Sequence, residues 1–298
     1  MIPQIGFGTY QAPLDATKEI VLNALNTGYK HIDCAFVYKN ETAVGEAFQE
    51  FFQSHDRSDY WITTKLWNTN HNPSNVTQQL QQQLVTLKLD YVDLFLIHWP
   101  VCFQHGKQLV PRNDKGEVLL ESGFSIMDTY RAMESLVDTG LTKHIGVSNF
   151  NVALINDLLS GARIKPLVNQ IESHPFFQNE GLIQFCLKNG LHITAYSPLG
   201  GFYQGVSGIQ KFSDDVKLQE IALGLGVSIA QIVLKWHLQR FNTNKYSIIP
   251  KSSCQERIKS NFKLEFTLTE EQMIYINSLN KNERSCDPIE YWQIPLFD

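Results

Sequence analysis

Eight short apolar runs punctuate this chain, and stretches with helical periodicity fall between them. The runs are Gln4–Thr9, Lys30–Cys34, Tyr60–Leu66, Val92–Trp99, Lys143–Asn149, Leu167–Glu172, His192–Pro198 and Tyr246–Lys251. Asp15 opens a helical stretch that ends at Gly28, an acid at a helix start and a glycine just past its end. Asn40–Phe52 repeats Val44, Ala47, Phe48, Phe51 and Phe52, and Pro73–Leu89 repeats Val76, Leu80, Leu84 and Leu87 at helical spacing. Ser125–Asp138, Val152–Leu159, Glu180–Lys188 and Ser228–Gln239 continue the alternation. Strand–helix alternation implies parallel strands joined by right-handed crossovers. Eight such units point to a closed α/β fold, the (β/α)8 TIM barrel. With 298 residues, 43% of them hydrophobic and 18% charged, residues 1–298 suit one barrel domain.

A barrel of this kind carries its active site at the C-terminal ends of the strands. Asp33, Lys65, His98, Asn149, Gln170 and Lys251 all fall at or near those ends, and Tyr38 follows shortly after the second run. Pro100–Gly123, Gly200–Phe212 and the tail after Asn280 exceed ordinary connections. Long loops on a barrel rim are more often functional than structural.

Several function classes are excluded by composition. The net charge of −5 gives no global basic field for nucleic acid, so a phosphate-bearing ligand needs a local basic site. No run approaches the roughly 18 apolar residues of a membrane span, and the start at Met1-Ile2-Pro3 lacks the features of a signal peptide. The five cysteines are odd in number and form no C-x-x-C pair, as expected of reduced thiols in a cytoplasmic protein without a metal site. The expected partner is a small molecule.

An acid, a phenol, an amine and an imidazole thus come from successive strand units: Asp33, Tyr38, Lys65 and His98. Each alone has a plain alternative, as a loop cap or a core residue; their joint placement is what points to chemistry. Carbonyl reduction needs a hydride donor and a proton donor. A phenol is a poor acid at neutral pH, with a reference pKa of about 10, and a nearby ammonium is expected to lower that value. Asp33 would keep Lys65 charged and in place. His98 would donate a hydrogen bond to the substrate oxygen or share its proton.

At these residues the chain resembles the aldo-keto reductases. Asp33-Cys34-Ala35-Phe36-Val37-Tyr38-Lys39-Asn40-Glu41 is similar to that family's D-x-A-x-x-Y-x-N-E signature. Trp61–Trp67 and Leu94–Pro100 resemble its lysine and histidine strands, and Gly146–Phe150 and Ile249–Ser252 two of its cofactor segments. The resemblance implies NADPH (NADP+) lying extended across the rim without a Rossmann domain. A G-x-G-x-x-G fingerprint is indeed missing, because Gln11 stands where the third glycine would fall after Gly6 and Gly8.

By the same resemblance, Ser148, Asn149 and Gln170 would bind the nicotinamide carboxamide and Tyr196 would stack on the ring. Asp33, Thr9 and Tyr10 would lie near the cofactor, and Ser197 and Leu199 would meet the pyrophosphate. Lys251, Ser252, Ser253, Arg257 and Asn261 would form the 2′-phosphate site. A dianionic phosphate suits a lysine point charge beside an arginine fork. A short helix at Gln255–Phe262 would put Arg257 and Asn261 on one face. Tyr10, Trp67, His98 and Trp99 would meet the substrate, with Phe103 completing an aromatic pocket.

Histidine at position 98 points to carbonyl reduction, since the family's steroid double-bond reductases carry glutamate there. The tail from Asn282 to Phe297 resembles that of xylose reductases, which implies open-chain aldoses or simpler aldehydes as substrates. Cys286 stands where those enzymes carry an asparagine, so weaker sugar recognition is expected. Most of the family's N-terminal hairpin is missing before Ile5. Gln11 replaces a lysine that in several relatives latches a loop over the cofactor, so weaker cofactor clamping is expected. Two alternatives remain: a cofactor-binding barrel with a non-catalytic, regulatory role, and a ketone- or prostaglandin-type carbonyl reductase. Relatives are monomers or dimers.

Overall fold

A computed structural model describes residues 1–200 and 212–297. Eight parallel strands follow one another around a single sheet in chain order. They are β1 (Phe7–Gly8), β2 (His31–Asp33), β3 (Trp61–Leu66), β4 (Val92–Ile97), β5 (Thr142–Ser148), β6 (Val168–Glu172), β7 (His192–Tyr196) and β8 (Tyr246–Ile248). The sheet closes on itself. Gly6 N–H donates to the Ile248 carbonyl at 2.8 Å, Ile248 N–H to Gln4 at 2.9 Å and Gly8 N–H to Pro250 at 3.1 Å. Position 6 needs a glycine, because a Cβ there would lie 2.6 Å from the His31 ring. The eight apolar runs are therefore the eight strands of a (β/α)8 barrel, each within a few residues of its expected bounds.

The described helices are α1 (Thr17–Thr27), α2 (Glu41–Phe51), α3 (Pro73–Leu87), α4 (Ile126–Asp138), α5 (Val152–Gly161), α6 (Glu180–Lys188), α7 (Val216–Leu225), α8 (Ile229–Arg240), α9 (Gln255–Phe262), α10 (Glu270–Ser278) and α11 (Ile289–Trp292). Gly28 closes α1 in the left-handed region, at φ 114°, where a residue without a Cβ is favoured. The start of α1 differs from expectation. Ala16, not Asp15, occupies the N-cap position and no side chain caps it. The Thr17 hydroxyl instead donates back to the Pro13 carbonyl at 2.7 Å, within the preceding turn. Reciprocal capping boxes at Ser125–Asp128, Ser228–Gln231 and Thr269–Gln272 start α4, α8 and α10.

Pro100–Gly123 is ordered, with antiparallel bridges Phe103–Leu120 and Arg112–Val118. The Gly200–Phe212 connection lies, from residue 201 to 211, outside the described residues. The apolar core fills the space between strands and helices. The barrel's polar interior opens at the strand ends, where an aromatic cluster of Trp67, Trp99, Phe103 and Trp292 sits under the C-terminal tail.

Candidate active site

Parallel pairing sets the first corner of the site. Asp33 and Thr63 are Cα partners across β2 and β3, so Lys65, two residues further along β3, rises beside the Asp33 carboxylate. Its ammonium is fully buried. It donates to Asp33 Oδ1 at 2.5 Å, to the Cys34 carbonyl at 2.8 Å and to the Tyr38 hydroxyl at 3.4 Å. A single 3₁₀ turn, Phe36–Tyr38, delivers that hydroxyl. His98, just past β4, faces the phenol edge-on with ring centroids 5.9 Å apart. The four residues predicted to act together do converge.

Electrostatics change one part of the expectation. Burial, with the Asp33 carboxylate adding to it, pushes the Tyr38 phenol well above its ordinary pKa. Proximity of an ammonium was expected to lower it; removal from water outweighs that attraction. The phenol is thus held protonated. Burial and the Lys65 charge push His98 well below the usual imidazole range, so its ring is neutral.

A chain of side-chain amides and hydroxyls continues around the rim. Gln170 on β6 donates to Asp33 Oδ2 at 2.7 Å. Ser148 donates to the Gln170 carbonyl at 2.9 Å, and the Asn149 amide donates to Ser148 Oγ at 3.1 Å and the His98 carbonyl at 2.9 Å. The Tyr196 hydroxyl donates to Asn149 Oδ1 at 2.7 Å. Asn149 adopts φ 65°, a left-handed conformation that asparagine tolerates better than most residues and that clusters at functional sites. Thr9 is buried against the Asp33 carbonyl, to which its hydroxyl donates at 2.9 Å. The Tyr10 ring lies 5.0 Å from that of Tyr38. Ser197 is also left-handed, at φ 46°, and half-buried Leu199 packs on the core.

The loop after β8 and the helix that follows it are basic. Helix α9 forms where expected, with Arg257 exposed and Asn261 buried one turn later. Ser252 turns its hydroxyl to the backbone of Cys254, and Ser253 is exposed. Lys251 donates to the Gln11 carbonyl at 2.9 Å, linking the loops after β8 and β1. Burial and the Arg257 charge both push the Lys251 ammonium below its usual range. Among the described residues no carboxylate forms an ion pair with either cation. Two neighbouring cations without a protein anion fit a phosphate, and adjoining hydroxyls and amides at Ser148, Asn149 and Gln170 fit a carboxamide that both donates and accepts.

Residues 4–281 match the family model described as the aldo/keto reductase family. The chain belongs to the aldo/keto reductase family. It is 44% identical to aldo-keto reductase family 1 member A1 of Xenopus tropicalis, over 97% of this chain and 88% of that protein. It is 38% identical to the NADP-dependent D-sorbitol-6-phosphate dehydrogenase of Malus domestica, over 99% of this chain and 96% of that protein. A solved aldose reductase from Giardia lamblia superposes with a TM-score of 0.94 at 47% identity, covering 99% of this chain and 98% of that one. The chain is therefore an oxidoreductase of carbonyl groups, of a family that draws its hydride from NADPH.

In this aldo/keto reductase the rim beside His98 is aromatic. Trp67 lies 5.4 Å from His98 edge-on, and Trp99 stacks on His98 at 6.3 Å. The Trp67 indole N–H donates to Leu109 in the long β4–α4 connection at 2.7 Å, which fixes its ring. The tail adds Trp292, packed on Trp67, Trp99 and Phe103 at 6.0, 5.3 and 5.0 Å.

Two polar groups of the reductase were given no role by sequence reasoning. Glu41, the last residue of the signature, is buried behind Lys65. It accepts from Thr64 at 2.6 Å and from Gln83 at 3.1 Å, and burial pushes it up to about 7 against those hydrogen bonds. Glu172 is a fully buried carboxylate at the end of β6. Its signal was present: a glutamate two residues after Gln170 in a strand shares the inward face of that glutamine.

Proposed function

We propose that the chain reduces aldehydes, open-chain aldoses among them, to alcohols with Tyr38 as the proton donor. The observation that carries this reading is the convergence of Tyr38, Lys65 and Asp33 through hydrogen bonds of 3.4 and 2.5 Å beside a neutral His98. NADPH, when bound, supplies the hydride for the carbonyl carbon. Lys251, Arg257 and Asn261, with Ser252 and Ser253, hold the 2′-phosphate, while Ser148, Asn149 and Gln170 orient the carboxamide. Tyr196, tethered through Asn149, offers a ring face for stacking, and Ser197, Leu199, Thr9 and Tyr10 flank the groove.

His98, being neutral, offers a hydrogen bond to the carbonyl oxygen without a competing charge. As negative charge grows on that oxygen, Tyr38 gives up its proton. The Lys65 ammonium stabilises the phenolate left behind, and Asp33 holds that ammonium in place through a 2.5 Å contact. Trp67 and Trp99 wall the pocket with Tyr10. All four members of the quartet are present, so no residue favours a non-catalytic role. We read residues 1–298 as one barrel domain of a cytoplasmic enzyme whose five free thiols stay reduced.

The test is Tyr38→Phe, assayed by NADPH absorbance with a panel of small aldehydes and by NADPH fluorescence titration. Cofactor binding should persist while turnover falls by roughly 10²–10⁴, the share general acid catalysis supplies. Unchanged turnover would remove Tyr38 as the acid.

A further inference from the structure

The buried Glu172 carboxylate is not used by the chemistry above, yet both of its oxygens accept hydrogen bonds. Oε1 accepts from Ser285 N–H at 2.7 Å, from the Ser285 hydroxyl, and from His174 Nε2 at 3.1 Å. Oε2 accepts from Cys286 N–H at 3.2 Å, and Arg284 Nη1 stands 4.0 Å away. His174 Nδ1 accepts from Phe177 N–H at 3.2 Å, so the imidazole proton lies on Nε2 and points at the carboxylate. Serine and histidine both donate to the glutamate rather than to each other. The cluster is therefore no nucleophile relay.

What it does is hold the tail. Ser285 and Cys286 are consecutive residues whose backbone N–H groups both end on one carboxylate, and Arg284 stacks between Phe177 and Phe297 at 4.3 and 3.5 Å. Beyond this point the tail touches the pocket wall through Trp292, and half-buried Cys286 packs against the same aromatic cluster. Apolar contact is non-directional and leaves a short segment free to slide. Two successive N–H donors on a fixed anion specify register. Displacing the tail would strip a buried carboxylate of three donors, which disfavours the open arrangement strongly.

We propose that Glu172 is a positioning residue that clasps residues 284–297 over the carbonyl site and so sets substrate size, favouring compact aldehydes over bulky ones. This rests on the reductase reading of the site. The clasp also ties both sides of the reaction to one strand: β6 holds Asp33 through Gln170 and the substrate wall through Glu172.

The experiment is Glu172→Gln, an isosteric change that turns an amide N–H₂ toward the tail's own donors. With saturating NADPH, kcat and KM are measured for a short aliphatic aldehyde and a bulky bicyclic aromatic aldehyde. The kcat/KM preference for the short substrate should fall roughly tenfold, within the range one pocket contact discriminates. The loss should lie mainly in KM, with NADPH affinity within about twofold. Ser285→Ala, which removes one donor and leaves the carboxylate, should shift the same ratio in the same direction by less, and it decides the matter if Glu172→Gln does not fold. An unchanged ratio in a folded variant, or an equal loss of NADPH affinity, overturns the clasp. A wild-type protein that reduces no aldehyde would instead sink the reading of the active site.

Discussion

Lys65 and Lys251 stand at the rim of one barrel and are treated in opposite ways. Lys65 is sealed from water and matched at 2.5 Å by Asp33, which Gln170 braces from behind. Lys251 is partly exposed, is bonded to a carbonyl, and among the described residues has a second cation, Arg257, as its charged neighbour. The first lysine has its counter-charge built into the fold, so its field is in place before any substrate arrives. On the proposed reading, the second is left for the cofactor's phosphate to neutralise. Preorganised charge serves the reacting centre, where reorganisation would add to the barrier; unmatched charge serves recognition, where the ligand's own phosphates complete the site.

The hardest blow to this contrast is Asp33→Asn. Removing one partner of a buried ion pair leaves an uncompensated charge and should destabilise the protein by about 3–5 kcal/mol, measured by urea unfolding, with turnover lost as well. The double variant D33N/K65M should recover most of the stability and none of the activity, because a neutral buried pair avoids the desolvation cost. A loss under about 1 kcal/mol in D33N, the size of a surface pair, would mean that Lys65 is not sealed.

The two ends also differ in how far they could be read before folding. Strand ends placed Asp33, Lys65, His98, Asn149 and Gln170 on one rim, because buried strands of a barrel leave short apolar runs that sequence preserves. Helices α4 and α8 fall within the stretches Ser125–Asp138 and Ser228–Gln239 that the strand–helix alternation marks. The box at Thr269–Gln272 carried a start signal for α10 and went unread, as did α7 and α11. The sign of the Tyr38 shift was not legible at all. Spacing brings an ammonium near a phenol, but desolvation depends on everything packed around it. Nor does position 172 reveal that its partners lie more than a hundred residues downstream.

A second test asks whether the closed side of the contrast is dry. Burial holds His31, His71 and His192 near a pKa of about 3, against 6.5 when unfolded. Below pH 6.5 the unfolded chain therefore takes up protons that the folded one refuses, and stability falls as pH falls. Glu41 opposes this. Raised to about 7 from 4.5, it binds a proton in the folded state first, and its contribution is lost as pH rises through 7. His98 and His237 are pushed well below the imidazole range as well, so five histidines against one carboxyl leave about four protons, and stability should drop by up to roughly 5 kcal/mol per pH unit between about pH 6 and 5. His71→Gln should lower that slope by about a quarter in denaturant titrations. A flat profile would show that water reaches these rings.

The smallest expected effect is the most selective. Arg257 is exposed, and its guanidinium has no ion pair among the described residues, so Arg257→Ala should leave unfolding free energy within about 0.5 kcal/mol of wild type. Its charge matters only when a phosphate is present. A hydrogen bond to a charged group contributes about 1.5–3 kcal/mol, so NADPH affinity should fall by roughly 10- to 100-fold in a fluorescence titration. NADH lacks the 2′-phosphate and should bind both proteins alike. Equal losses for the two dinucleotides would place Arg257 on the shared pyrophosphate instead. No loss for either would leave Lys251 without an ally, and the exposed half of the contrast would need another ligand. The stability and affinity effects are separable here because the fold never relied on this cation, whereas at Asp33 and Lys65 they are the same interaction.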